Sequence, residues 1–497
     1  MSFLLSRIVT LSITAAILLY AVPPLIRTES WVALTILALA AAGIGYLYLS
    51  PRHVPAKYLV PGTIFLIIFQ IFPVLYTFSV AFTNYGDGHR GSKQEAITAI
   101  ERESLVDIPG APDYALTVAT KGDDVVFLLV NQETKQVQLG TEKGLSNLDG
   151  AEVGLTGKVL SAPGYQIIQA SERDEDVQAL RVPTERGVIK SVGLSRAIEQ
   201  EARRKYDASC DCIVEGGNRW VADGKRGYFV DASGGNLIQG WKVNVGWSNF
   251  TRVFTDPNVS GHFFGVLVWN IVFALASVVT TFALGMAVAL ALHSPRVKGT
   301  RIYRTLLILP YAMPAFAMLL VWRDMFNKDF GLINRVLGTD LDWLGTPMSA
   351  RLGLILVNLW LGFPYMFLVT TGALQAIPRE LTEASGIDGA SPWQSFRRVV
   401  LPLLLVALTP LLISSFAFNF NNFNLVRLVT AGGPYAVDNN LVGKTDLLIT
   451  YTYRLAFEGG SGQFGFAAAI STFIFAIVAT ISVIAFRRTR AQEEVYT

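Results

Sequence analysis

The sequence predicts an all-α polytopic membrane protein with about eight transmembrane helices and one inserted α/β domain outside the membrane. Hydrophobic residues make up 52% of the 497 residues and charged residues only 16%, whereas a soluble protein averages roughly 25% charged. The mean hydropathy is +0.42. A single long polar stretch, residues 84–261, interrupts the apolar segments. Together these observations indicate an integral membrane protein.

The apolar stretches define the predicted spans. A membrane helix needs about 20 apolar residues, and eight stretches meet this length. They are roughly 8–26, 31–49, 58–82, 263–292, 303–322, 352–374, 399–420 and 467–486. The first is too long for the apolar core of a signal peptide, and "YAVPPLI" offers no obvious cleavage site, so a retained helix is predicted. Breaks in the backbone are expected near Pro310, Pro314 and Pro364.

The basic residues predict the orientation. With the N-terminus in the cytoplasm, the short cytoplasmic segments are 1–7, 50–57, 293–302, 375–398 and 487–497. Arginine and lysine are concentrated in the last four of them, while the short loops on the other side mix acidic with basic residues. The positive-inside rule therefore places both termini in the cytoplasm.

Three domains follow from this layout: residues 1–83 with three helices, residues 84–261 outside the membrane, and residues 262–497 with five helices and a cytoplasmic loop at about 377–398. Within the outside domain, "YALTVAT", "DVVFLLVN", "KQVQLGT" and "GYQIIQAS" are typical of short strands. The segments "SKQEAITAIERE" and "SRAIEQEARRKYD" are predicted to be amphipathic helices.

Several functional classes find no support in the composition. The net charge of +3 is too small to indicate a nucleic-acid partner. Cysteine and histidine residues do not cluster with the spacing of metal ligands, so no metal site is expected. The outside domain has no catalytic constellation, and no catalytic residue is predicted. Cys210 and Cys212 could be two free thiols or a labile disulfide, and the sequence favours neither.

The cytoplasmic loop between the sixth and seventh spans has the pattern of a helix–turn–helix. In "ELTEASGIDGASPWQSFRRVVLPLL", residues 380–404, helix-forming residues around Glu383 are followed by Gly389, and Pro392 opens a second segment. An ordinary amphipathic connector would have the same pattern, so the residues alone leave both interpretations open.

This loop resembles the coupling loop of ABC-importer permeases. That motif is Glu-Ala-Ala, three residues, Gly, nine residues and Ile-x-Leu-Pro. The matching residues are Glu383, Ala384, Ser385, Gly389, Val399, Leu401 and Pro402, with Ser385 for the second alanine and Val399 for the isoleucine. The resemblance implies that the loop docks into a cleft on an ATPase subunit, with Glu383 and Gly389 at the contact.

A polar stripe marks the end of the seventh span. In "FAFNFNNFNL", residues 416–425, and the preceding Ser415, helical spacing puts Ser415, Phe418, Asn419 and Asn422 on one face. Amides beside an aromatic ring suit the hydroxyls and the C–H faces of a sugar. Asparagine and serine in membrane helices also serve as contacts between helices, and from the residues alone both roles remain open. By the same spacing, Asn421 and Asn424 point elsewhere.

The resemblance extends beyond the loop to the larger permease subunits of maltose/maltodextrin importers. It is carried by "LILPYAMP", "NLWLGFPYMFLV", "SFAFNFNNF" and "DLLITYTYRLAFEGG", by the domain after the third span, and by the count of eight spans. It is close from about residue 240 onward and faint across 84–240. The resemblance implies the type I ABC-importer permease fold and a mid-membrane sugar site. The matching residues are Leu361, Gly362, Tyr365, Ser415, Phe418, Asn419 and Asn422.

The same resemblance implies a function and a set of partners. The chain would be a non-catalytic permease subunit in the bacterial inner membrane, forming the path for maltose and maltodextrins through the lipid bilayer. Its partners would be a second permease, an ATPase dimer that binds the ATP, and an extracytoplasmic sugar-binding protein. Trehalose or another glucoside would use the same kinds of residue.

Two other classes of function explain the sequence less well. A secondary, ion-coupled transporter usually carries Asp, Glu or His inside its spans, and no predicted span has Asp or Glu in its interior. A membrane-anchored receptor or enzyme built on residues 84–261 would leave the eight helices and the cytoplasmic loop without a role.

Overall fold

The computed structural model describes residues 2–28, 30–50, 54–294, 296–436, 439–458 and 462–496. Residues 51–53, part of a predicted cytoplasmic segment, lie outside the described residues. The chain forms two compact units, residues 1–79 and residues 80–497.

The N-terminal unit consists of long apolar helices. They are α1 (Ser2–Arg27), α2 (Trp31–Leu49), α3 (Val54–Leu66) and α4 (Phe72–Ala81), the last of which crosses into the second unit. A π-helical turn, Ile67–Ile71, joins α3 to α4, so residues Val54–Ala81 make one candidate span. Most of the apolar surface of α2 is exposed, as expected of a helix that faces lipid.

The inserted domain is built mainly of antiparallel sheet. Its helices are α5 (Lys93–Glu103) and α6 (Asp174–Ala179). Its strands are β1 (Leu105–Asp107), β2 (Asp113–Lys121), β3 (Asp124–Asn131), β4 (Val137–Thr141), β5 (Gly144–Asn147), β6 (Glu152–Val153), β7 (Val159–Ser161), β8 (Gln166–Ile167), β9 (Val182–Pro183), β10 (Val188–Val192), β11 (Arg196–Ala202), β12 (Lys205–Asp207), β13 (Cys212–Glu215), β14 (Asn218–Asp223), β15 (Tyr228–Val230) and β16 (Asn236–Gly240).

Three sheets hold these strands. The largest has the order β5-β4-β3-β2-β11-β10-β9, with β1 on β11 and β8 on β2, and the second is the meander β12 to β16. Strands β6 and β7 pair in a separate two-stranded sheet. Cys210 and Cys212 are joined by a disulfide beside β13. The α/β character predicted for this domain is therefore confirmed, while the boundaries drawn at residues 83/84 and 261/262 stay predictions.

One helix of the inserted domain was predicted correctly and one was not. The segment 92–103 forms α5, opened by a capping box between Ser92 and Glu95. The predicted helix over 195–207 is wrong, because the structure has β11 and β12 there. Its many helix-forming residues are overridden by pairing with β10 on one side and β2 on the other, which buries Ala197 and Glu199 on the same face.

The membrane core follows the inserted domain. Its helices are α7 (Ser248–Thr255), α8 (Pro257–His293), α9 (Thr300–Ala312), α10 (Ala315–Met325), α11 (Leu332–Leu337), α12 (Pro347–Ala376), α13 (Arg379–Ile387), α14 (Pro392–Ser395), α15 (Leu401–Phe420), α16 (Phe423–Val429), α17 (Leu448–Phe457) and α18 (Phe464–Tyr496). A π-helical turn, Phe396–Val400, joins α14 to α15, and a short hairpin of β17 (Tyr435–Ala436) and β18 (Asn439–Gly443) lies between α16 and α17.

Every predicted span coincides with helix, but the fifth is broken. Among the described residues, six helices are long and apolar enough to cross a membrane, and the pair α9 and α10, bent by 88°, would make a seventh. The first predicted span falls on α1. The bend lies at Met313 and Pro314, since proline disfavours helical backbone in the residue before it, and Met313 is extended. The predicted break at Pro364 is wrong, because α12 continues through it.

Helices α8 and α12 pack closely in the middle of the core. A Cβ atom added to Gly285 would lie 2.7 Å from Cβ of Met366, and one added to Gly362 would lie 2.9 Å from Cγ2 of Thr281. Both contacts are closer than side chains tolerate, so glycine at these positions allows the two helices to approach. This pair forms one wall of the cavity described next.

Candidate functional site

A cavity of about 700 Å³ opens between the helices of the membrane core. Its wall includes residues of α8, α9, α10, α12, α15 and α16. All seven residues predicted to bind a sugar line it: Leu361, Gly362, Tyr365, Ser415, Phe418, Asn419 and Asn422. The structure therefore brings residues from two distant parts of the sequence around one space.

Most of the wall is apolar, and a few polar groups converge on one side. Phe418 is the most exposed aromatic residue of the wall, with 70% of its area accessible. Ser415 and Tyr365 are half-buried, whereas Asn419 is 5% exposed. An apolar cavity with a small number of oriented polar groups is the usual form of a small-molecule site.

A chain of three amides joins helix α12 to the end of α15. Nδ2 of Asn358 donates to Oδ1 of Asn419 at 2.9 Å, and Nδ2 of Asn422 donates to Oδ1 of Asn358 at 3.2 Å. Nδ2 of Asn419 also donates to the carbonyl of Ser415 at 2.8 Å. The two bonds made by Asn358 connect separate helical segments, and contacts of this kind contribute about 0.6–2 kcal/mol in membranes.

The amide chain leaves bonding capacity for a ligand. An amide carries two N–H donors and a carbonyl oxygen with two lone pairs. Within the chain, Asn358 uses one donor and one acceptor position for its two partners. The same side chains can therefore hold the helices together and offer hydrogen bonds to a bound hydroxyl group, so the two roles left open by the sequence are compatible.

The helical stripe predicted for the seventh span ends earlier than expected. Helix α15 stops at Phe420, and Asn422 caps the next helix by accepting a bond from the amide of Leu425 at 3.4 Å. Asn422 reaches the cavity because the chain turns, and helical spacing no longer applies beyond Phe420. For the same reason, Asn424, predicted to point elsewhere, lines the cavity. Asn421 caps α15 instead, donating to the carbonyl of Ala417 at 3.2 Å.

Asn358 is a second residue of the cavity, besides Asn424, that was not predicted from the sequence. It is 7% exposed, lies at the centre of the amide chain and lines the cavity. A signal for it exists in the sequence, because it precedes Leu361, Gly362 and Tyr365 at spacings of three, four and seven residues. These four residues share one face of α12.

The cytoplasmic loop forms two short helices joined by a tight turn. Helix α13 carries Glu383, Ala384 and Ser385, and α14 begins after a capping box between Ser391 and Gln394. Gly389 lies between them with φ of +78°, a backbone conformation that favours glycine. An added Cβ there would meet nothing within 4 Å, so its conformation rather than close packing requires glycine.

Ser385, which departs from the alanine of the motif, links the two helices. Its Oγ lies 2.7 Å from Oγ of Ser395, and Ser385 is 9% exposed. Glu383, Ala384 and Gly389 are exposed, as are the apolar side chains of Ile387 and Trp393. The other two predicted loop residues, Leu401 and Pro402, are half-buried in the first turn of α15.

A membrane core with a broken span and a cavity that carries a few polar groups is the arrangement expected of a solute permease, and comparison with protein families gives the class of the chain. Residues 262–491 match the family model described as binding-protein-dependent transport system inner membrane component. Residues 64–143 match the model for the N-terminal part of the transmembrane subunit in binding-protein-dependent ABC transporters.

Curated relatives narrow the class further. The chain is 37% identical to the maltose/maltodextrin transport system permease protein MalF of Salmonella typhimurium, over 94% of this chain and 92% of the relative. It is 36% identical to MalF of Escherichia coli K12, over 92% of this chain and 91% of the relative. The chain therefore belongs to the MalF family of permease subunits of binding-protein-dependent ABC transporters, which are multi-pass proteins of the inner membrane.

A solved structure is similar over part of the chain. The crystal structure of a bacterial ABC transporter involved in alginate import matches with a TM-score of 0.43 and 21% identity, covering 50% of this chain and 84% of that chain.

Proposed function

We propose that this chain is the larger permease subunit of an ATP-driven importer of maltose and maltodextrins. The observation that carries the proposal is the cavity, in which Phe418 and the amides of Asn358, Asn419 and Asn422 face one space of about 700 Å³. This volume lies within the usual range for small-molecule sites, about 300–1,000 Å³. The names of the curated relatives support the choice of sugar.

The chemistry of the cavity suits a glucoside. Amide donors and acceptors can replace the water around sugar hydroxyls, and the ring of Phe418 can cover an apolar C–H face. In this proposal Asn419 and Asn422 bind hydroxyl groups, Phe418 stacks on a sugar ring, and Leu361, Gly362 and Tyr365 form the opposite wall. None of these groups acts as an acid or base, so the subunit binds and releases the sugar without chemical change.

In this proposal, the cytoplasmic loop transmits movement of a partner ATPase to the helices that line the cavity. We infer that Glu383, Ala384 and Gly389, with the exposed apolar side chains of Ile387 and Trp393, contact a partner ATPase. The partner ATPase subunits bind the ATP, and a second permease completes the translocation path. An extracytoplasmic binding protein would deliver the sugar, and both termini of this chain would be cytoplasmic.

A panel of sugars tests the proposed substrate. The assembled complex with its binding protein is reconstituted in vesicles, and ATP-dependent uptake is measured for maltose, maltotriose and trehalose. The proposal predicts uptake of the first two sugars. Uptake of trehalose alone would support an importer but would show that maltose is the wrong substrate. If a complex that hydrolyses ATP takes up none of these glucosides, the sugar assignment is refuted.

A charge reversal tests the coupling role of the loop. Glu383→Lys should leave the complex inserted and able to hydrolyse ATP, while sugar uptake falls at least about tenfold, a loss of about 1.4 kcal/mol in coupling. Glu380→Lys is the matched control, since Glu380 is an exposed glutamate on the same helix and lies outside the motif. Uptake at the wild-type level in Glu383→Lys would refute the coupling role.

A further inference from the structure

One buried asparagine connects the end of helix α15 to the start of helix α17. Asn270, on α8, is fully buried. Its Nδ2 donates to the carbonyl of Phe420 at 2.9 Å, and its Oδ1 accepts from the amide of Leu448 at 2.7 Å. Phe420 is the last residue of α15, and Leu448 is the first residue of α17.

These two backbone groups need a partner from outside their helices. The last carbonyls and the first amides of a helix have no partner within it, and a buried group left unpaired costs about 1–3 kcal/mol. A single amide side chain supplies the one donor and the one acceptor required. The preceding residue acts on the same segment, because Nε1 of Trp269 donates to the carbonyl of Thr445 at 3.3 Å.

The segment held in this way forms part of the cavity wall. Two residues after Phe420 the chain reaches Asn422, which bonds Asn358 in the cavity wall, and Asn424 and Leu425 follow in the same wall. We propose that Asn270 is a positioning residue: by fixing the ends of α15 and α17, it fixes the distance between Asn422 and Asn358. Asn270 itself does not line the cavity.

Three variants separate positioning from general stability. Asn270→Leu keeps the approximate volume and removes both bonds. Asn270→Asp keeps the shape and the acceptor for Leu448 but loses the donor to Phe420. Asn249→Leu is the matched control, because Nδ2 of Asn249 also bridges two backbone carbonyls, those of Ala81 and Thr83, and Asn249 does not line the cavity.

A labelling experiment tests the inference without any sugar. Leu425 lines the cavity and is 2% exposed, so a cysteine in its place should react slowly with a water-soluble maleimide in the assembled complex. The native Cys210 and Cys212 are joined to each other and do not compete. We expect Asn270→Leu to speed labelling of Leu425→Cys at least tenfold and Asn249→Leu to leave it within twofold. Equal labelling rates with and without Asn270→Leu would overturn the inference.

The second arm rests on the proposed function and measures uptake against maltose concentration. We expect Asn270→Leu to raise the half-saturating concentration at least fivefold with the maximal rate within twofold, and Asn270→Asp to fall between it and the wild type. If Asn270→Leu does not assemble, Asn270→Asp carries both arms. If the wild type takes up no maltose, the proposed substrate is refuted, and the labelling experiment alone tests the positioning role of Asn270. Half-saturating concentrations unchanged in both variants would contradict the positioning role.

Discussion

At the scale of single residues, the cavity separates side chains that hold the helices from a side chain that is free to meet a ligand. Asn358, Asn419 and Asn422 are tied together by hydrogen bonds. Phe418 is 70% exposed although it lies in an apolar helix. Under the proposed function, we therefore expect replacement of an asparagine to change both packing and binding, and replacement of Phe418 to change chiefly binding.

This difference predicts the effect of Phe418→Ala. Removal of the exposed ring should weaken maltose binding to the complex about fivefold, or about 1 kcal/mol, because stacking on the sugar is lost while buried packing is kept. Equilibrium binding of labelled maltose measures the change. Phe330→Ala is the control, since Phe330 is 80% exposed and does not line the cavity. Equal affinities in wild type and Phe418→Ala would exclude the stacking role.

At the scale of elements, the two short helices of the cytoplasmic loop form a defined unit rather than a loose connection. Three features set the angle between α13 and α14. They are the capping at Ser391, the contact between Ser385 and Ser395, and the positive φ of Gly389. A unit of this kind can transmit movement from a partner as a rigid body.

Two glycines of this unit give a matched pair of substitutions. Gly389→Ala should cost about 1–2 kcal/mol of loop stability, because alanine disfavours positive φ, and should lower sugar uptake. Gly386→Ala should leave uptake unchanged, since Gly386 is helical and an added Cβ meets nothing within 4 Å. Uptake and ATP hydrolysis are measured together in vesicles. Identical behaviour of the two variants would show that the turn geometry is unimportant for coupling.

The long apolar elements and the break near Pro314 were predictable from the sequence. Strand β11 and the course of the chain after α15 were not. All eight apolar stretches are helical, and α5 is opened by the capping residues that the sequence contains. Strand β11 was mistaken for a helix because its pairing with β10 and β2 is decided by distant residues. The predicted span 399–420 ends where α15 ends, but the helical stripe drawn through Asn422 runs two residues too far. Its limit involves a distant residue, since Asn270, about 150 residues earlier, bonds the last carbonyl of α15.

At the scale of the whole molecule, the chain is multi-pass, with a large inserted domain between α4 and α7 and a loop of two short helices between α12 and α15. The seven predicted binding residues were identified through resemblance to a family, and the structure adds Asn358 and Asn424 to the same cavity. The predicted orientation of the chain in the membrane rests on the distribution of arginine and lysine alone.

Two exposed positions test that orientation. Leu155 is fully exposed in the turn between β6 and β7, and Ile387 is 86% exposed on α13. In right-side-out vesicles, an impermeant maleimide should label Leu155→Cys at once and Ile387→Cys only after the membrane is permeabilised. The native chain is the unlabelled control, because its two cysteines are joined in a disulfide. The reverse labelling pattern would show that the orientation is opposite to the predicted one.

The measurement that tests the central claim most directly is ATP-dependent uptake of labelled maltose into vesicles that hold this chain with its partner subunits and binding protein. Wild type is compared with Asn419→Ala, which removes one member of the amide chain from the cavity wall. We predict robust uptake by the wild type and loss of most of it in the variant, with the complex still assembled. Uptake unchanged by Asn419→Ala would contradict a role for this cavity in sugar binding.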